Sequence, residues 1–187
     1  MSPGALEKLF TFRPRFEKLI SKDVKLRTFI ANDNDRTDMV SSVYEMTHGV
    51  IKKGVDTLVV IDDSIVRGTT LEKSILKLLD RLEPKKVVVV SSAPQIRYPD
   101  CYGIDMSKLG EFVAFRAMKV LLKENGLDYL YEEAYAQCVG ALETGNAYEK
   151  NFVQNLYDQF TDEEISAKIA EIIRPEGFNA EIAVIYQ

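Results

Sequence analysis

The sequence predicts an α/β fold built on a parallel β-sheet, and three observations carry that prediction. Thr57-Leu58-Val59-Val60-Ile61 and Val87-Val88-Val89-Val90 are continuous β-branched apolar runs, the pattern of strands buried on both faces. Between them, Leu71, Ile75, Leu78, Leu79 and Leu82 recur at helical spacing within Thr69–Leu82. Strand, loop, amphipathic helix and strand in so short a stretch make a βαβ unit, with a right-handed crossover expected.

Ahead of that unit, Ala5–Ile20 carries Leu6, Leu9, Phe10, Phe16, Leu19 and Ile20 and is broken by Arg13-Pro14. A short helix, a proline stop and a second helical turn are expected. Lys25–Ile30 alternates basic and apolar side chains like a short strand, and the polar stretch Ala31–Asp38 reads as a loop. Met39–Met46 reads as a brief helix and Gly49–Gly54 as a turn. Asp62–Gly68 is a polar loop, and Glu83-Pro84 ends the helix that follows it. From Ser91 to Met106 the chain reads as irregular. Glu111–Asn125 is expected to be a helix, with Phe112, Phe115, Met118, Leu121 and Leu122 on its apolar face and Gly126 as C-cap. Leu127–Val139, Tyr148–Tyr157 and Glu163–Ile173 read as further helices, the last opened by a Thr161/Glu164 capping box. Ile182–Tyr186 reads as a last strand or an ordered tail. One domain, 1–187, is expected, with a helical lead-in (1–24), a ligand-binding core (25–106) and a helical tail (107–187).

Apolar residues make up 46% and charged residues 28% of the 187, which excludes a disordered chain. A net charge of -5 argues against a nucleic acid or an anionic membrane as partner. Cys101 and Cys138 are too few for a disulfide framework, and no apolar run approaches the roughly 20 residues that span a bilayer. Met1-Ser2-Pro3-Gly4 leads into no signal-peptide core, so a soluble cytoplasmic domain is expected.

The chemistry is concentrated in Asp62-Asp63-Ser64-Ile65-Val66-Arg67-Gly68-Thr69-Thr70, between a strand and a helix start. In open parallel sheets ligands bind outside the carboxyl ends of the strands, where this loop must lie. Gly68 permits close backbone approach. The amides of Arg67, Gly68, Thr69 and Thr70, with the positive end of the helix, form an anion cradle. Hydroxyls of Ser64, Thr69 and Thr70 can donate to phosphate oxygens. Asp62 and Asp63 would repel a phosphate they touched, so they suit hydroxyl groups or a cation nearby. A ribose 5-phosphate satisfies both halves. The plainer reading is an Asp62-Asp63 turn with Thr69 or Thr70 merely capping the helix.

The run Val59-Val60-Ile61-Asp62-Asp63-Ser64-Ile65-Val66-Arg67-Gly68-Thr69-Thr70 resembles the phosphoribosyl pyrophosphate (PRPP) signature of the type I phosphoribosyltransferases, in the version of the amidophosphoribosyltransferase family. Ser92-Ala93-Pro94-Gln95-Ile96-Arg97-Tyr98-Pro99, followed by Tyr102-Gly103-Ile104-Asp105-Met106, resembles that family's segment after the next strand. Arg27-Thr28-Phe29-Ile30 resembles the start of its flexible active-site loop. Three motifs in one order are far more specific than one. The resemblance implies the first step of de novo purine synthesis, in which glutamine-derived ammonia displaces pyrophosphate from PRPP, with Mg2+, to give 5-phosphoribosylamine. It implies that Asp62 and Asp63 face the ribose hydroxyls and the metal-bound substrate. Ser64, Ile65, Val66, Arg67, Gly68, Thr69 and Thr70 would hold the 5-phosphate, while Arg27 and its loop close over the substrate. Carboxylates near the ring would stabilise the positive charge that develops as pyrophosphate leaves. The implied partners are PRPP, purine nucleotides as inhibitors, and further copies in a homo-oligomer.

Two parts of the family pattern are not found in this sequence. One is the glutaminase domain with its N-terminal catalytic cysteine, since Met1 is followed by Ser2. The other is an earlier strand ending in a pyrophosphate loop, since only helix-like residues precede Arg27. Cys101 and Cys138 do not substitute, because His48 is remote from both. The expectation is therefore a C-terminal part of an amidophosphoribosyltransferase, its sheet incomplete on the N-terminal side and its catalysis weak or absent alone. The alternatives are a stand-alone salvage or pyrimidine phosphoribosyltransferase and a non-catalytic PRPP- or nucleotide-binding module. Asp33–Asp38 lacks the glycine and glutamate of a calcium loop, and Arg97-Tyr98-Pro99 lacks a basic stripe. Phe112, Phe115, Tyr129, Tyr131 and Tyr135 follow helical spacing, as core or partner contacts do.

Overall fold

The computed structural model describes residues 3–12, 15–17, 19–22, 44–47, 49–100 and 106–187. The chain forms two compact units, Met1–Ile51 and Lys52–Gln187. The expectations for Arg27, the Lys25–Ile30 strand, the Ala31–Asp38 loop, His48, Cys101 and Tyr102–Asp105 lie outside the described residues.

In the first unit, helix α1 spans Pro3–Thr11 and stops ahead of Arg13-Pro14, as expected. The second helical turn does not form. Arg15–Glu17 is irregular, and strand β1, Ile20–Lys22, pairs antiparallel with β2, Tyr44–Met46, placing Ile20 opposite Met46. Two readings are corrected here: the residues before Arg27 include a strand, and the end of the Met39–Met46 helix is its partner. The cross-strand ladder overrides a local pattern too short to choose between helix and strand.

The second unit holds the βαβ motif. Strand β3, Thr57–Asp62, leads through a loop into α2, where a π-helical turn, Leu71–Ile75, runs straight into an α-helix, Leu76–Asp80. Leu71, Leu78, Leu79 and Leu82 of the predicted stripe are buried, while Ile75 is half-buried and Leu76, outside the stripe, is completely buried. Strand β4, Lys86–Ser91, is parallel to β3 with Asp62 opposite Ser91. A 3-10 turn, Leu109–Glu111, precedes α3, Val113–Glu124, whose end is followed by Gly126 at φ 68°. That left-handed residue terminates the helix, as expected. Helix α4 spans Asp128–Glu143, a short α5 spans Gln154–Tyr157, and α6 spans Asp162–Ile172. Tyr148–Val153, read as helical, is not helical; the Asn151 side chain accepts from the Val153 amide at 3.1 Å, a local bond that competes with the helix. The capping box of α6 is present, with Thr161 accepting from the Glu164 amide and Glu164 accepting from the Thr161 amide. Strand β5, Glu181–Tyr186, completes the parallel sheet in the order β3-β4-β5.

Helices α3 and α6 pack on one another, and α6 packs on β5. Phe112, Val113, Met118 and Leu122 are buried together with Ile165, Ile169 and Ile173, forming the centre of the core. Only one face of the sheet is fully covered among the described residues. Leu58, Val87, Val89 and Val184 are buried, while Val59 and Ile61 are 64% and 76% exposed. The expectation of strands buried on both faces is therefore corrected. Of the aromatic positions expected as core or partner contacts, Phe112 and Phe115 are in the core, and Tyr129 and Tyr135, at 61% and 64% exposure, are on the surface.

Candidate functional site

Strands β3 and β4 end side by side, and the Asp62–Thr70 segment leaves the sheet at that carboxyl end, where the fold class places ligands. The backbone bends at Asp63. The Ser92 amide donates to the Asp62 carbonyl at 2.9 Å and the Ala93 amide to the Asp63 carbonyl at 3.1 Å. The Ser92 hydroxyl donates to the same two carbonyls, at 3.3 and 3.1 Å. Each carboxylate accepts the amide that follows it: Asp63 N–H to Asp62 Oδ1 at 3.0 Å, Ser64 N–H to Asp63 Oδ1 at 2.8 Å. Burial pushes the Asp62 carboxyl above its usual range, and the neighbouring Asp63 carboxyl adds to the rise.

The rest of the loop is anchored by its apolar members. Ile65 is 3% exposed, and the Val66 carbonyl accepts from the Val113 amide at 2.8 Å, fastening the loop to the start of α3. Gly68 is buried with φ 74°, and a Cβ there would lie 2.7 Å from Ile173 Cγ2. Its carbonyl accepts from the Glu72 amide at 3.0 Å, the first bond of the α2 ladder. The amides of Thr69, Thr70 and Leu71 thus occupy the first turn, where N–H groups have no intrahelical acceptor and the helix end is positive. The Thr70 side chain makes no capping hydrogen bond. The π-helical turn comes immediately after, a feature often seen at functional sites.

Arg67 pairs with Glu111 at 2.6 Å, and Glu111 also reaches Lys108 at 3.3 Å. Sequence reasoning missed Glu111, reading it only as a helix start; a pair this distant in sequence leaves no local signal. The segment after Ser92 is held at its far end too. Gln95 Nε2 donates to the Asp162 carbonyl and to Ser166 Oγ, both at 2.8 Å. Arg97 pairs with Asp162 and sits 5.0 Å from the centre of the Tyr157 ring.

The structure thus brings Asp62, Asp63, Ser64 and the loop through Thr70 together. Ile65 and Val66 contribute through packing and backbone, and Arg27 lies outside the described residues. Among the described residues no three His, Cys, Asp or Glu side chains form a metal-binding cluster, and no helix is long and apolar enough to cross a membrane. A cleft of about 680 Å³ lies elsewhere, between α6 and β5, with Gln95, Ser166 and Tyr186 among its lining residues.

No family model matches the chain. It is 35% identical over 115 residues to an amidophosphoribosyltransferase of Pasteurella multocida, covering 60% of this chain and 23% of that protein. The corresponding enzyme of Pyrococcus horikoshii is 36% identical over 121 residues, covering 63% and 25%. That of Staphylococcus epidermidis is 30% identical over 165 residues, covering 75% and 33%. The chain therefore spans from 23% to 33% of the length of these curated relatives. A solved glutamine PRPP amidotransferase from B. subtilis, complexed with ADP and GMP, aligns at a TM-score of 0.41 and 32% identity, over 60% of this chain and 25% of that one. The chain is similar in sequence to a part of the amidophosphoribosyltransferases.

Proposed function

We propose that this chain binds a phosphorylated ribose and is the PRPP-binding part of an amidophosphoribosyltransferase, the glycosyltransferase that makes 5-phosphoribosylamine for purine synthesis. One observation carries the reading. Two carboxylates held at the end of β3 stand immediately before a loop that delivers helix-start amides and threonine hydroxyls. In this reading Asp62 and Asp63 accept from the ribose hydroxyls, and Ser64–Thr70 hold the 5-phosphate through amides and hydroxyls. Gly68 brings the backbone close to the anion. The Arg67 side chain is taken up by Glu111, so in this reading Arg67 offers the phosphate its backbone amide. The carboxylates stabilise the positive charge that develops on the ring as pyrophosphate departs.

Mg2+ is commonly bound through one or two carboxylates plus substrate phosphates and water. Asp62 and Asp63 fit that demand as a pair, so they would hold the metal carried by the substrate, which neutralises the leaving pyrophosphate. Ammonia supplied by a glutaminase domain, assembly into a homo-oligomer, inhibition by purine nucleotides and a cytoplasmic location belong to the same proposal.

Calorimetry with ribose 5-phosphate, PRPP and AMP, with and without Mg2+, tests it. Saturable binding is expected for all three. Asp62→Asn with Asp63→Asn is expected to weaken ribose 5-phosphate about tenfold or more, whereas Thr69→Ala weakens inorganic phosphate as well. Unchanged affinity in the double carboxamide variant refutes the ribose assignment. Turnover with a free nucleobase points instead to salvage chemistry.

A further inference from the structure

In a regular strand successive side chains point to opposite faces, and successive carbonyls point to opposite sides. Asp62 and Asp63 are consecutive, so an uninterrupted β3 would hold their carboxylates apart. The carbonyls of both residues nevertheless face the segment after β4. The Asp62 oxygen accepts from the Ser92 amide, the Asp63 oxygen accepts from the Ala93 amide, and the Ser92 hydroxyl lies within 3.3 Å of each. The Asp62 bond is the regular step of the parallel ladder, with Asp62 opposite Ser91, so it is the Asp63–Ser64 peptide that has turned out of the pleat, at the residue where the backbone bends. The two carboxylates are fixed locally as well, Asp62 Oδ1 accepting from the Asp63 amide and Asp63 Oδ1 from the Ser64 amide.

We propose that Ser92 is a positioning residue: its hydroxyl holds the bend that turns two successive strand residues toward one ligand. The inference rests on the reading that the pair binds ribose. Ser92 is exposed, so its substitution removes a hydrogen bond without opening the core. Ser92 touches no ligand atom in this account and acts through Asp62 and Asp63 alone.

Ser92→Thr and Ser92→Val, similar in shape but differing in the hydroxyl, form the test. Ser92→Val is expected to bind ribose 5-phosphate about fivefold more weakly, with inorganic phosphate affinity and melting temperature unchanged. Ser92→Thr is expected to restore binding. Independently of any ligand, hydrogen exchange of the Ser64 amide, which donates to Asp63, is expected to accelerate in Ser92→Val and not in Ser92→Thr. Unchanged ribose 5-phosphate affinity in Ser92→Val, or an equal loss of phosphate affinity, overturns the positioning role. If wild type binds no ribose 5-phosphate, the ribose reading falls, and Ser64 exchange decides the clamp by itself, with unchanged exchange overturning it.

Discussion

Replacing Gly68 with alanine tests whether the loop geometry is dictated by packing. Two independent costs arise. At φ 74° an L-residue gains left-handed strain of about 1–2 kcal/mol. The new Cβ would also stand 2.7 Å from Ile173 Cγ2, and Ile173 is completely buried, so the methyl cannot swing into solvent. Overpacking of that kind costs about 1–3 kcal/mol, for a total of about 3 kcal/mol. With a urea slope of about 1–3 kcal/mol/M, the unfolding midpoint is expected to fall by about 1–3 M, read by circular dichroism. Gly140→Ala supplies the opposite sign. It lies inside α4 with nothing within 4 Å of a built Cβ, so alanine there is expected to stabilise by about 0.5–1 kcal/mol. A Gly68→Ala midpoint equal to wild type would mean that the loop yields freely, and a loop so loose is not a preformed cradle.

Thr161→Ala is expected to cost about 1 kcal/mol of unfolding free energy, measured by urea denaturation, because both bonds of the capping box depend on that residue's placement. A cost below about 0.3 kcal/mol would show the box to be incidental. Asp62 carries a pH signature. Its carboxyl is raised from 3.8, so its share of stability is complete below that pH and is lost as the pH rises through the elevated value. Asp62→Asn stays neutral, so its stability relative to wild type is expected to grow from pH 4 to pH 7; a constant difference contradicts the shift. Lys168, 12% exposed in its side chain, bridges Glu124 of α3 and Glu171 of α6. Lys168→Ala is expected to lower the melting temperature, and no change would show that α3 and α6 need no such bridge.

The parts of the fold that were legible in the sequence are those governed by local chemistry. The Thr161/Glu164 box, the Gly126 stop and the leucine stripe of α2 each depend on residues within a few positions, and each was found. Where local chemistry left a choice, the reading failed. Ile20–Lys22 and Tyr44–Met46 are too short to display a period, and their pairing with each other decides their state. The apolar runs of β3 and β4 promised two covered faces, but composition cannot reveal whether a helix lies over each face.

At the candidate site the division is the same. Residue types and spacing by themselves marked Asp62, Asp63 and the Ser64–Thr70 segment as the candidate, because a glycine and hydroxyl-rich turn between strand and helix suits an anion, while a plain turn with a helix cap stayed open beside it. Tertiary structure alone decided what holds them. Ser92 and Ala93 reach the two aspartate carbonyls, Glu111 meets Arg67, and Ile173 closes over Gly68, all from positions remote along the chain. Such contacts follow from how strands and helices stack, and nothing in the local sequence around either partner records them.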